Sequence, residues 1–273
     1  MPRPRRYIDW GRKVIITGGD TSNIVRRVRQ KLRNLRRRFP RNVVCNICGW
    51  GGHCFDGDNW HPYTICWKCR SQVRHRLFVE ALKRIDGLTF GELLDAKRVL
   101  HFSPEEQTTG LLKPRAARYR TADLDRDDVD EKLDITAMPS VADGSVDLLV
   151  AADVLEHVPD HMQGMREIYR VLAPGGWAIL TVPQQDHLEK TYSDPGITDP
   201  KERERLFGQS DHVRIFGDDM RQLLESVGFA VRVVDAGSFP PAVVKRHVLF
   251  PPVLSTHPLA TNHRKVYFAR RPL

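Results

Sequence analysis

Between Val146 and Val182 the chain leaves little freedom in how it can fold. Val146-Asp147-Leu148-Leu149-Val150-Ala151-Ala152 is a short, nearly continuous apolar run, the pattern of a strand covered on both faces in a parallel sheet. It leads straight into a loop bearing Asp153, Glu156 and His157. Met162, Met165, Ile168 and Leu172 then recur at helical spacing, and Pro174-Gly175-Gly176 ends that helix. Trp177–Val182 supplies a second short apolar run, bounded by Pro183. Strand, crossover helix and strand make a βαβ unit, a pattern that many enzyme classes share.

A length of 273 residues accommodates one α/β domain of about 180 to 200 residues plus a smaller appendage. No run approaches the roughly 20 apolar residues that span a bilayer. Met1-Pro2-Arg3-Pro4-Arg5-Arg6 lacks the apolar core of a signal peptide, so a cytoplasmic location is expected. The net charge of +9 is concentrated: residues 1–42 hold fourteen Lys/Arg against two Asp/Glu, which leaves −3 for the remainder. The basicity belongs to this leader, and the body of the chain takes no support from pI as a nucleic-acid binder.

Within the leader, Val25, Val28, Leu32, Leu35 and Phe39 recur three and four apart among eight Lys/Arg residues, which predicts an amphipathic basic helix. Its apolar stripe has two uses: docking on the protein's own body or on a second copy in a homodimer, or presenting the arginines to an anionic surface such as RNA. The first is preferred. A short strand and turn are expected at Val14–Asp20.

Cys45-x-x-Cys48 and Cys66-x-x-Cys69, seventeen residues apart, have the spacing of a four-cysteine zinc ribbon. Disulfides are the alternative, disfavoured in a cytoplasmic chain. Four thiolates leave no open position, so a structural Zn2+ is expected. Cys54 is a spare thiol, with His53 and His61 as replacement ligands. Trp50, Phe55, Trp60, Tyr63 and Trp67 either cover this small module and dock it or wall a substrate pocket. The expected division is a basic leader over 1–42, a zinc-binding ribbon over 43–72 and an α/β domain over 73–273.

Asp153-Val154-Leu155-Glu156-His157-Val158, with Arg166-Glu167-Ile168 and Arg170–Gly176, resembles the fourth through fifth strands of class I S-adenosylmethionine-dependent methyltransferases. Cys66-x-x-Cys69-Arg70-Ser71-x-x-Arg74-His75-Arg76 resembles a bacterial, zinc-ribbon-containing group of them, as does Phe207-Gly208-Gln209-x-Asp211-His212-Val213-Arg214. The resemblance implies an α/β fold with a seven-stranded Rossmann-like sheet and S-adenosyl-L-methionine as cofactor.

Lys97–Phe102 reads as the first strand of that sheet. Where the superfamily usually has a glycine-rich loop, this chain has His101-Phe102-Ser103-Pro104-Glu105, a replacement the zinc-ribbon group shares. Ser103 as cap, Pro104 at the first helical position and Glu106 at the third predict a helix start whose acidic residues would repel a pyrophosphate. Asp123, at the end of a second strand Tyr119–Asp123 and followed by Leu124, is placed to accept hydrogen bonds from ribose hydroxyls, with Asp125 as competitor. Asp134 is expected at the adenine amino group with Ile135 against the ring, or else as a turn cap. Small Ala151 and Ala152 let their carbonyls approach a cationic ligand, beside His157, which is read as structural in preference to a base. Arg74 or Arg76 is expected to reach a carboxylate of the cofactor or substrate.

The function expected is methyl transfer to an O or N of a small-molecule or glycan-like acceptor. His212, oriented by Asp211, is the first candidate general base and His187 the second. Two other classes compete: an RNA methyltransferase gripping RNA through the leader and ribbon, and a non-catalytic binding protein on a degenerate methyltransferase fold.

Overall fold

The computed structural model describes residues 5–9, 12–16, 41–57, 61–83 and 89–273. The basic helix expected over 21–39 lies outside them. Strands β1 (Arg5–Asp9) and β2 (Arg12–Ile16) pair antiparallel. The ribbon follows as β3 (Val43–Val44) and β4 (Gly51–Gly52), also antiparallel, with the first cysteine pair in the turn between them. Its small core joins Val43, Cys45, Trp50, Phe55 and Cys66 to Val248, more than 180 residues further along the chain. Trp50 and Phe55 pack together in this core, their ring centroids 5.7 Å apart.

The junction helix α1 (Val73–Lys83) and the short α2 (Phe90–Leu94) lead into the main sheet. In chain order come β5 (Arg98–Phe102), α3 (Glu106–Leu112), β6 (Arg118–Asp123), β7 (Glu131–Lys132), β8 (Val146–Ala152), α4 (His161–Val171) and β9 (Leu172–Thr181). There follow β10 (Tyr192–Ser193), α5 (Pro200–Phe207), β11 (Arg214–Ile215), α6 (Met220–Val227), β12 (Ala230–Val234), α7 (Pro241–His247) and β13 (Val266–Arg270). The seven-stranded sheet runs β12-β13-β9-β8-β5-β6-β7, parallel except for β13, which is antiparallel to both neighbours. Alternation along β5 and β8 feeds two cores: Leu100, Phe102, Leu149 and Ala151 face one, and Val99, Leu148 and Val150 face the other with Leu77 and Phe78 of α1. From β5 the chain winds outward through β6, whereas from β8 it winds the opposite way through β9. The crevice between the carboxyl ends of β5 and β8 is thus the switch point where open α/β sheets bind ligands.

Several local expectations are corrected. Pro174-Gly175-Gly176 is not a loop between helix and strand but an irregularity inside β9, since Val146 pairs with Leu172 and Leu148 already pairs with Trp177. Gly175 has φ +78°, and a Cβ at Gly176 would lie 2.8 Å from the Ala173 carbonyl oxygen, so glycine is required at both positions. Ser103 does not cap α3; the helix starts at Glu106 after Glu105, and Ser103 turns elsewhere. Leu133–Thr136 is a turn in which Asp134 has the capping role: its Oδ1 accepts from both the backbone N–H and the hydroxyl of Thr136 (2.8 and 2.7 Å). The proline-rich connection after β12 contains α7, whose His247 Nδ1–H donates to the Val44 carbonyl (2.7 Å) and ties it to the ribbon. Among the described residues no helix is long and apolar enough to cross a membrane.

Candidate active site

The four ribbon cysteines converge and none is in a disulfide. Sγ atoms of Cys45 and Cys69, and of Cys48 and Cys66, are each 3.7 Å apart. Sulfurs bound at ~2.3 Å to one tetrahedral ion stand about 3.75 Å apart, so the donor set fits a metal without rearrangement. Beneath them lies Arg76, fully buried, its guanidinium 4.4 Å from the Phe55 ring centroid. It donates to the carbonyls of Ser71 (2.6 Å), Thr64 (2.7 Å), His247 (2.7 Å) and Val248 (3.1 Å). Burial pulls its pKa down to about 10 against the opposing pull of the cysteines. Arg76 is thus a bolt between ribbon, α1 and the C-terminal segment, and the expectation that it reaches a ligand carboxylate is corrected: its donors are taken by these four carbonyls and the Ser71 hydroxyl.

Arg74, two residues earlier, lies at the crevice. It makes a bidentate pair with Glu105 (2.6 and 2.7 Å), and its Nε lies 3.3 Å from Asp153. The backbone N–H of Gln72 donates to His75 Nδ1 (2.9 Å), so Nε2 carries the ring proton and donates to Glu105 (3.0 Å). Burial raises the Glu105 pKa, but His75 and Arg74 outweigh it and hold the carboxyl at about 2. Asp153, at the end of β8, also accepts from Arg264 (2.5 and 2.6 Å) and from the Thr181 hydroxyl (2.7 Å). Burial works against its charge, and the two arginines keep the carboxyl far below the usual range. Arg74 and Arg264 share the wall of a cavity of about 100 Å³. Arg264 also borders a larger one, of about 1170 Å³, between the ribbon and the C-terminal segment.

Beyond β5, Ser103 adopts φ +45°, a left-handed turn at the position where a glycine would make it without strain. The turn is held by the Ser103 hydroxyl, which donates to Asp123 Oδ2 (2.7 Å). Asp123 Oδ1 accepts from the backbone N–H groups of Asp125 (3.0 Å) and Arg126 (3.1 Å). Burial pushes against ionisation, but these donors hold the Asp123 carboxyl below its ordinary value. Leu124 is exposed beside it, while Ile135, Phe102 and Ala151 are buried in the core. His101 is buried, its Nδ1 2.6 Å from the Tyr119 hydroxyl, and burial lowers its pKa to about 4.

After β8, the carbonyls of Leu155 (2.8 Å), Val158 and Pro159 (2.8 Å) all accept from the buried Arg214 guanidinium, which fixes the loop. The loop brings Glu156, His157 and His212 together, with one donor atom of each within 4.8 Å of the others. The two imidazoles meet edge to face at 4.8 Å between centroids. Asp211 does not orient His212 as expected: its carboxylate lies 3.2 Å from His157 Nδ1, and His212 Nδ1–H donates to the Phe207 carbonyl (2.9 Å). The reason is chain direction, since neighbouring residues project apart, and the side chain of Asp211 meets His157 of the β8 loop instead. His212 Nε2 and Glu156 Oε2 are buried without a hydrogen-bond partner. Burial lowers the His212 pKa; burial and the nearby Asp153 carboxylate raise that of Glu156 well above its ordinary value. His187 is not brought into this cluster; its ring faces His263 at 6.2 Å, and His263 Nδ1 is 3.1 Å from Asp186.

Three residues central to this geometry carried no sequence-based role. Glu156 stood in the quoted loop without one. Arg214 closed a quoted segment, but nothing in its spacing signals three carbonyl partners. Arg264 stands in a stretch with no motif.

Comparison with known proteins places the crevice in context. Residues 96–180 match the methyltransferase domain family. An uncharacterized 37.1 kDa protein of a Streptomyces fradiae transposon is 34% identical over 118 residues, 43% of this chain and 33% of that protein. A Mycolicibacterium smegmatis protein described as a probable S-adenosylmethionine-dependent methyltransferase is 31% identical over 137 residues, 50% of this chain and 45% of the other. The chain thus spans less than half the length of these curated relatives. Among solved structures, the [4+2]-cyclase SpnF shares the fold at 15% identity and a TM-score of 0.50, over 81% of this chain and 87% of that one. Residues 96–180, which run from β5 to β9 of the sheet, thus carry a methyltransferase domain.

Proposed function

We propose that the protein transfers a methyl group from S-adenosylmethionine to an oxygen or nitrogen of a small-molecule acceptor, with a structural zinc held by Cys45, Cys48, Cys66 and Cys69. The observation that carries this is the convergence, at the β5/β8 switch point, of the Ser103–Asp123 pair, the two arginines on Asp153 and the Glu156–His157–His212 cluster. The left-handed Ser103 supplies the sharp turn that a glycine-rich loop otherwise gives, which removes the main objection to a cofactor there.

The bound cofactor supplies a methyl carbon made electrophilic by its sulfonium. Asp123, already ionised, accepts from the ribose hydroxyls with the lone pairs its three present donors leave free. Arg74 gives Nε–H to Gln72 (3.2 Å) and one N–H from each terminal nitrogen to Glu105, which leaves two N–H groups, and with Arg264 it lines the smaller cavity as a seat for a carboxylate. Asp134, with one oxygen committed to Thr136, turns its other oxygen to the adenine amino group. The acceptor's O–H or N–H is presented to the Glu156–His157–His212 cluster, which favours loss of its proton. Val43, Phe55, Tyr63, Phe239 and Phe250 line the larger cavity, whose apolar wall suits a metabolite with an apolar body better than a glycan. The ribbon closes that cavity and positions Arg74 through α1.

Calorimetric titration with S-adenosylmethionine and S-adenosylhomocysteine tests this. Binding to the zinc-replete protein is expected, weakened about 10- to 100-fold in Asp123→Ala, the scale of losing hydrogen bonds to a charged group. No binding to the intact protein would overturn the proposal.

A further inference from the structure

We infer that Glu156, His157 and His212 form a second metal site, distinct from the ribbon, which binds one divalent first-row transition-metal ion at the end of β8. The donors converge within 4.8 Å. Two of the three residues are almost completely covered, Glu156 at 1% and His212 at 2% exposure, yet Glu156 Oε2 and His212 Nε2 have no hydrogen-bond partner. A buried polar atom left unpaired costs about 1–3 kcal/mol and is rare in native proteins. Two such atoms in one cluster point to a ligand that accepts both lone pairs.

Both imidazoles are set up to present the same atom. A carbonyl can only accept, so His212 Nδ1 carries its proton toward Phe207 and leaves the Nε2 lone pair free. The Asp211 carboxylate does the same for His157, again fixing the proton on Nδ1. Metal-bound histidines are oriented in this way, with the remote nitrogen donating to a carbonyl or carboxylate. The backbone behind the donors is rigid. Arg214 clamps three carbonyls of the 155–159 loop, and the Val213 N–H donates to the Glu156 carbonyl (3.0 Å), stitching the His212 loop to the Glu156 loop. Donors on a tetrahedral ion with bonds of ~2.0–2.1 Å stand about 3.4 Å apart, so His157, whose side chain is 37% exposed, rotates inward on binding.

Two imidazoles and one carboxylate suit zinc, manganese, iron(II) or cobalt(II) rather than calcium, and three protein donors leave positions for an exogenous oxygen. The site stands whether or not the protein moves methyl groups. Its consequence for the acceptor rests on that proposal: an oxygen acceptor, a hydroxyl able to enter the open position, is then the substrate class.

Cobalt(II) distinguishes the two metal centres by colour, because thiolate ligands give strong sulfur-to-metal charge-transfer absorption and an N/O site gives only weak d–d bands. Protein with its ribbon filled by zinc is titrated with cobalt(II) under visible spectroscopy and elemental analysis. One further equivalent is expected, with d–d bands and without charge transfer. Glu156→Gln and His212→Gln are each expected to weaken its binding at least tenfold while melting within a few degrees of the parent. No uptake beyond the ribbon, or equal uptake by both variants, overturns the site. S-adenosylhomocysteine titration of the same samples reports separately: cobalt uptake without nucleoside binding sinks methyl transfer and leaves the metal site, and the reverse result does the opposite.

Discussion

The two clusters of donor atoms in this protein differ in the number of donors they hold. In the ribbon Cys45 and Cys66 are buried with Trp50, Phe55 and Val248, beside the Arg76 guanidinium, while Cys48 and Cys69 are half-buried. At the end of β8, Glu156 and His212 are buried, but His157 stands half in solvent beside the crevice. A closed tetrahedral set of thiolates can only hold structure together, whereas a set open on one side can exchange a ligand. Four donors that fill a tetrahedron and three that leave a position free would make one site structural and the other able to take a ligand.

The largest effect is expected where the four donors form a full tetrahedral set. Cys66 is buried with no exposure, and in Cys66→Ser the ribbon should lose its ion and melt. Structural zinc supplies an apparent ~10–16 kcal/mol in zinc-finger peptides, so the module has little to hold it otherwise. Elemental analysis should show one zinc fewer, and the near-ultraviolet circular dichroism of Trp50 and Trp67 should collapse with a lowered Tm. A variant that keeps both signals would break the closed-site assignment.

An intermediate effect is expected in α1, which joins the two centres through Arg74. Glu105 has a folded pKa of about 2 against an ordinary 4.5. A depressed carboxylate pKa contributes stability that is fully present above pH ~4.5 and lost as pH falls toward 2. At ~1.4 kcal/mol per unit the contribution is of order 3 kcal/mol. Urea melts of the parent should therefore weaken between pH 5 and pH 3 more than those of Glu105→Gln. Parallel pH dependences in the two proteins would show that Arg74 and His75 do not couple through this carboxylate.

The βαβ unit and the ribbon were legible because they rest on periodicity and spacing that one stretch of chain carries by itself, whereas the seven-stranded sheet was expected only through the family resemblance. Val146–Val182 announced its βαβ unit, and the two Cys-x-x-Cys pairs announced their convergence. The site was legible only where a residue's partner was near in sequence or fixed by strand order, as for Asp123 at the end of β6. Arg74 and Arg76 show the limit. Both stand in one Arg-His-Arg motif, but a two-residue step on a helix turns side chains about 200° apart, sending one to the crevice and the other under the ribbon. The Asp211–His212 pairing failed for a similar reason: adjacency in sequence is not adjacency of side chains, and the partner of Asp211 came from the β8 loop. Glu156 and Arg264 acquire their roles only through residues far away along the chain.

The smallest effect separates the two histidine groups. His187 was the second candidate base in sequence, in the polar loop after β9, but it packs with His263 rather than with Glu156 and His212. It adopts φ +64°, so alanine there would mix loss of the imidazole with backbone strain. Asparagine tolerates the left-handed region and isolates the ring. His187→Asn should change stability by no more than ~0.5 kcal/mol, as surface substitutions generally do, and should leave turnover and S-adenosylhomocysteine affinity within about twofold of the parent. His157→Asn, which breaks the Asp211 pair, should lower turnover by far more at unchanged nucleoside affinity. If instead His187→Asn loses turnover and His157→Asn keeps it, the proton acceptor lies in the loop around residue 187, and the cluster at β8 belongs with the ribbon as a structural element.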